Sequence, residues 1–250
     1  MGIESMSQNK EQTAVHYPGE NYEFSLSLAE NCSDNALDVI REKKFIRERL
    51  LDIKNHDEKT FLHSLEVGNM TAFLINRLGD KLSKEEREIL ISSALLHDYG
   101  KTSIDPEILN KKEELTPEEL TEIEKHPTET FYALREWNIE VAKVSVAHHE
   151  HQDHTYPRKE FTDDVMRERT PSKEVDKLSR ILAIVDSFQA MLDPTRPSSI
   201  RSPKTIDETI DELNKKFILK EDKETIFLLE KYYYEKLDNE EKKNSKEQIH

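Results

Sequence analysis

The chain has 250 residues, enough for one good-sized domain or a domain with short appendages. Hydrophobic residues make up 35% and charged residues 36%, and the five glycines, none beyond Gly100, are few for the turns of a sandwich, barrel or Rossmann unit. The formal net charge of −15 argues against unselective binding to duplex nucleic acid or an anionic membrane, but not against a small phosphate ester held by metal ions and local cations.

Residues 1–33 show no sustained period and are expected to form a flexible or loosely docked arm. From 34 to 54, apolar and charged residues alternate at helical spacing. A second helix is predicted over about 57–78, stopped by Gly79. Ser83, with Glu86 three residues on, predicts a capping box opening the helix that ends in ISSALLHD. Thr116-Pro117 with Glu119 repeats that logic, and His126-Pro127 marks the break after the short helix that follows. Helices are expected over about 128–137 and 139–150, then a polar loop over 151–172. The next helix, 173–192, carries Leu178, Ile181, Leu182 and Val185 on one face. PTRPSSIRSP holds three prolines and is a connector. Helices over about 204–217 and 220–237 close a domain spanning 34–238, and 239–250 form a charged, frayed tail. The fold class is all-α.

No apolar run approaches the roughly 18 residues that cross a bilayer, and the N-terminus lacks the order of a signal peptide. Cys32 is the single cysteine, which excludes an internal disulfide framework and a cysteine-based zinc site. These features predict a soluble cytoplasmic protein.

The chemistry centres on His97-Asp98. Adjacent residues on a helix point about 100° apart, so the pair is poorly placed to chelate one ion. It can offer the imidazole to one metal and the carboxylate as a bridge to a second, at the roughly 3.5–4 Å spacing of two-metal hydrolytic sites. Gly100 is read as letting the chain turn, and Lys101 as a nearby cation. Taken singly, each further candidate has a plain structural reading. His63, taken alone, reads more readily as a hydrogen-bonded core histidine than as a ligand, His126 as a helix-end residue on the dipole, and Asp186 as the partner of Arg180. Together with His148 and His149 they make five histidines and two acids near the inner ends of successive helices. Imidazole and carboxylate without thiolate suit two divalent first-row ions, iron or manganese.

The series His63, HDYGK at 97–101, His126-Pro127, His148-His149-Glu150 and Asp186 resembles the HD domain superfamily, specifically its HD-GYP branch, over roughly residues 37 to 235. The resemblance extends to HHEHQDHTYP and DSFQAMLDPTRP. It implies an HD-type helical bundle in which His63, His97, Asp98, His126, His148, His149 and Asp186 ligate two metals, with Asp98 bridging. Lys101 would contact the scissile phosphate and Arg196 would hold a phosphate or guanine of the ligand; Arg201, outside the family pattern, is the candidate to replace the cation lost from R-P-Y-R. The implied activity is hydrolysis of cyclic di-GMP by attack of a metal-bridging hydroxide on phosphorus.

This chain departs from the branch at three places. Both glycines of the GYP run are missing, leaving Tyr156-Pro157 after Thr155. Lys59 stands where members with a third metal carry a glutamate, so two metals are predicted. Gln189 replaces a usual aspartate, and RPSS replaces R-P-Y-R. His151 and His154 are expected to be solvated. The alternatives carried forward are an HD-type hydrolase of another nucleotide or phosphoester, and a non-catalytic cyclic-dinucleotide-binding or scaffold module. A protein partner or homo-oligomer is left open.

Overall fold

The computed structural model describes residues 22–151, 155–156, 172–195 and 202–247, and among them there is helix and no strand. The helices are α1 (Tyr22–Asn31), α2 (Asp34–Glu42), α3 (Lys44–His56), α4 (Glu58–Leu78), α5 (Lys84–Leu96), α6 (Pro106–Leu109), α7 (Pro117–Ile123), α8 (His126–Leu134), α9 (Ile139–Val146), α10 (Lys173–Leu192), α11 (Ile206–Lys216) and α12 (Lys220–Glu247). Two tight 3₁₀ turns, Gly79–Lys81 and Tyr99–Ser103, follow α4 and α5.

Helices α4 and α10 form the middle of the bundle. Phe61, Leu65 and Leu74 of α4 and Leu178, Leu182, Val185 and Phe188 of α10 are fully buried. Each such side chain contributes about 1.5–3 kcal/mol of transfer free energy. Helix α4 packs against α3, α5, α10 and α12, while α9 bridges α5, α8 and α10. The predicted starts hold at the level of atoms. Ser83 Oγ accepts from Glu86 N while Glu86 Oε2 accepts from Ser83 N, and Thr116 and Glu119 make the same reciprocal pair. Gly79 ends α4 with φ 53, a backbone angle that favours glycine.

Several sequence readings need correction. Residues 22–31, inside the arm expected to be flexible or loosely docked, form a helix with Phe24 and Leu28 buried; Phe24 meets Phe61 of α4 at 5.9 Å between ring centres. The 34–54 run is two helices, broken at Lys43 (φ −110, ψ 94), and buried Arg47 donates to the carbonyl of Ile40 at the end of α2. That guanidinium satisfies a helix-end acceptor that a continuous helix would have used internally. His126 opens α8 rather than closing α7, and α9 stops at Val146, which leaves His148 and His149 just past its end. The last helix runs on to Glu247, through most of the predicted tail. Arg180 pairs in bidentate fashion with Asp222 at 2.7 and 2.9 Å, not with Asp186.

Candidate metal centre

Five imidazoles and two carboxylates meet where α5, α7 and α9 end against α4 and α10. His63, His97, Asp98, His126, His148 and Asp186 are buried, and His149 is half-buried. Their donor atoms fall into three overlapping groups, each within 4.8 Å: His126, His148 and His149; His63, His97 and Asp186; and His97, Asp98 and His148. Asp98 stands between the first two. Its Oδ1 lies 3.1 Å from His126 Nε2, and its Oδ2 lies 3.5 Å from both His63 Nε2 and His97 Nε2. On the far side, Asp186 Oδ1 is 3.2 Å from His63 Nε2 and 3.8 Å from His97 Nε2.

The local sequence explains why the ring edges face inward. A helix leaves its last carbonyls without intrahelical partners. His97 Nδ1 contacts Ala94 O at 2.9 Å, His126 Nδ1 contacts Ile123 O at 2.7 Å, and His148 Nδ1 contacts Ser145 O at 2.5 Å. Each histidine thus donates its Nδ1–H to the carbonyl three residues earlier, at a helix end, and keeps the Nε2 lone pair for the cavity. An outer hydrogen bond of this kind fixes the tautomer in which a metal-binding imidazole is needed. The buried Nε2 of His148 has no hydrogen-bond partner, which is costly for a polar atom unless something else binds there. All of this fits a divalent cation.

The electrostatics agree. Burial pushes His97 down and His148 down to about 3, so both are neutral near pH 7. Burial, with His148 and His126 close by, also holds His149 well below its ordinary range. Burial alone would raise the Asp98 carboxyl, yet the Lys101 ammonium 2.5 Å from Oδ2, together with the neighbouring imidazoles, holds it well below the usual carboxylate range. Asp186 is depressed in the same way, its burial overridden by His63 and the other imidazoles. Anionic Asp98 and Asp186 beside neutral His97, His148 and His149 are the protonation states that ligation requires.

All seven predicted ligands and Lys101 therefore come together. Arg196, Arg201, His154 and Pro157 lie outside the described residues. Lys59 is exposed, one turn before His63 on α4, and Glu58 pairs with Lys54 instead. His151 is half-buried rather than fully solvated, and its Nε2 meets Ser179 Oγ at 2.9 Å. Gly100 does not have a positive φ, so letting the chain turn is not its role. It admits close packing, since a Cβ there would lie under 3.0 Å from backbone atoms of His126 and Thr130.

Two further contacts were not foreseen from the sequence. Thr130 Oγ1 accepts from Gly100 N at 2.8 Å and donates to His97 O at 3.0 Å, bracing the HDYGK turn against α8. Tyr156, the remnant of the GYP run, stacks on His149 with ring centres 4.2 Å apart. No local pattern marks Thr130, because its partners are about thirty residues away in sequence.

Comparison with known proteins identifies relatives of this chain. Cyclic di-GMP phosphodiesterase of Thermotoga maritima is 32% identical over 164 residues, covering 63% of this chain and 40% of that protein. The 3'3'-cGAMP-specific phosphodiesterase 1 of Vibrio cholerae is 31% identical over 155 residues, covering 61% of this chain and 32% of its own length. Cyclic di-GMP phosphodiesterase response regulator RpfG of Xanthomonas campestris pv. campestris is 29% identical over 157 residues, covering 61% and 38%. The chain thus spans well under half the length of these relatives. No solved structure gives a significant match. The HD domain family matches residues 60–191, more than half of the chain and every one of the seven clustered ligand candidates. By that match, the chain belongs to the HD domain family.

Proposed function

We propose that this chain is a metal-dependent phosphodiesterase of the HD-GYP type that hydrolyses cyclic di-GMP or a closely related cyclic dinucleotide. The observation that carries the reading is the position of Asp98, one oxygen toward His126 and the other toward His63 and His97. A carboxylate so placed suits a bridge between two ions, one held by His126, His148 and His149 and one by His63, His97 and Asp186. Iron or manganese fits a donor set of imidazoles and carboxylates without thiolate. The names of the relatives supply the substrate class.

Two divalent ions held by these residues would supply a low-pKa water and charge stabilisation at phosphorus. The chain's own residues do the rest. The helix-end carbonyls hold the imidazoles in the ligating tautomer. Asp98 tethers the Lys101 ammonium at the edge of the site, where it meets the negative charge that grows on the phosphoryl oxygens. Water is added across one phosphodiester bond: its oxygen stays on phosphorus and its proton goes to the departing ribose oxygen. Arg196 and Arg201 remain in the proposal as ligand contacts on their sequence position alone. A cytoplasmic site of action is supported by the acidic composition and the single cysteine. No described helix is long and apolar enough to cross a membrane.

The test is metal analysis of anaerobically purified protein beside turnover of cyclic di-GMP, 3'3'-cGAMP and a panel of other phosphoesters. About two equivalents of metal and cyclic-dinucleotide turnover are expected, with activity abolished in His97→Ala and Asp98→Ala. Full activity in either variant overturns the mechanism, and turnover confined to other phosphoesters overturns the substrate.

A further inference from the structure

His97, His126 and His148 are oriented by carbonyls at helix ends, but His63 cannot be. It lies inside the 21-residue helix α4, where the preceding carbonyls are engaged in the helix's own ladder. Its Nδ1 needs an acceptor from elsewhere. That acceptor is Gln189 Oε1, at 2.6 Å. Gln189 sits three residues after Asp186 on α10, so one helical face presents both groups. Asp186 Oδ1 stands 3.2 Å from Nε2 of His63, and Gln189 meets Nδ1 of the same ring. The Nε2 edge also faces His97 Nε2 at 3.1 Å, inside the donor cluster. A lone pair on Nε2 requires the proton on Nδ1, and Gln189 must then present its carbonyl oxygen rather than its amide nitrogen.

We propose that Gln189 is the positioning residue of His63 and that it sets the affinity of one half of the metal centre, the half formed by His63, His97 and Asp186. It does so as a neutral acceptor. The amide fixes the imidazole tautomer and ring plane without adding a negative charge beside Asp186, and it raises the basicity of the ring less than a carboxylate at the same place. This half therefore binds its ion less tightly than it would with an acid at 189. The inference rests on the two-metal reading above.

The experiment is equilibrium titration of the full chain with Mn²⁺ alone, against a competing chelator, for the parent protein, Gln189→Met and Gln189→Glu. Methionine keeps the length of the side chain and removes the acceptor; glutamate keeps the acceptor and adds charge. Loss of an outer hydrogen-bond partner typically lowers metal affinity by about 10–100-fold. Gln189→Met is expected to weaken one Mn²⁺ equivalent by that factor while the other stays within about twofold. Gln189→Glu is expected to match or exceed the parent at the weakened site. Two equivalents bound unchanged in Gln189→Met overturn the assignment, as does equal weakening of both sites accompanied by a lower melting temperature of the chelated protein. If the parent itself binds no Mn²⁺, the two-metal reading falls and this inference with it; failure confined to the variants removes this inference alone.

Discussion

Replacing Gly100 with alanine places one methyl group between the turn that follows Asp98 and the helix that begins with His126. The added Cβ would lie 2.7 Å from Thr130 N and 2.9 Å from Glu129 Cβ, and closer still to the carbonyl oxygen of His126. Two of the three are backbone atoms and cannot rotate away. To restore ordinary van der Waals separation, the turn and α8 must part by on the order of 1 Å. Overpacking of this kind costs about 1–3 kcal/mol, and strain on the Gly100–Thr130–His97 hydrogen bonds adds roughly 1 kcal/mol. A total of about 3 kcal/mol lowers the melting temperature of a domain this size by about 6–12 °C. The same displacement separates Asp98 Oδ1 from His126 Nε2, now 3.1 Å apart, and a 1 Å misplacement in a catalytic site costs about 100-fold in rate.

Thermal melts with and without chelator, metal content and turnover read the three consequences together. Gly79→Ala is the control. Gly79 has φ 53 but nothing within 4 Å of a would-be Cβ, so alanine there costs about 1–3 kcal/mol in backbone strain and leaves the metal centre intact. If Gly100→Ala melts within about 2 °C of the parent, well below the shift worked above, and keeps its metals, the close packing of the HDYGK turn on α8 is not what holds Asp98 and His126 in register.

Thr130→Val should cost about 1–3 kcal/mol in urea unfolding, because it strands the Gly100 N–H and the His97 carbonyl, while Thr130→Ser should stay near the parent. Lys101→Met should retain metal yet lose about 100-fold or more in turnover; unchanged turnover would remove Lys101 from the mechanism. Acidification should destabilise the metal-free protein. The folded pKa values of His97 and His148 are depressed below 6.5, so between that pH and about 3 for His148 the unfolded chain binds protons that the folded one excludes. Stability then falls with falling pH by up to about 1.4 kcal/mol per pH unit for each histidine. Asp98 and Asp186, depressed below 3.8, add loss in the same direction at still lower pH. Chelated protein melted between pH 7.5 and 4.5 checks this, and a flat or rising midpoint on acidification would contradict it.

What could be read from the sequence was what is settled within a few residues. The capping boxes at Ser83 and Thr116 depend on residues three apart, and the apolar face of α10 repeats within one helix. The features that escaped are made by distant partners. Across the break at Lys43, Arg47 reaches back to Ile40, and α1 is held where Phe24 meets Phe61. Asp186 is left to the imidazoles because Asp222, 42 residues beyond Arg180, takes that guanidinium. Gln189 was visible as a departure from the family pattern, but its contact with His63 follows only from the two lying across from each other.

The His97-Asp98 pair shows why residue order alone understates such a site. On a continuing helix the two side chains would diverge by about 100°. Here α5 ends at Leu96; His97 caps it with helical angles (φ −56, ψ −31), and Asp98 has left it (φ −100, ψ 9). The helix end therefore has two effects. It frees the Ala94 carbonyl that turns His97 Nε2 inward, and it swings Asp98 until Oδ2 lies 3.5 Å from that nitrogen. Thr130 then ties His97 O and Gly100 N to α8, which carries His126 toward the other oxygen of Asp98. What makes the dipeptide a bridge between two sets of donors is thus where the helix stops and what braces the chain afterwards. A substitution that extended α5 by one turn would be expected to dismantle the cluster with every candidate ligand still present in the sequence.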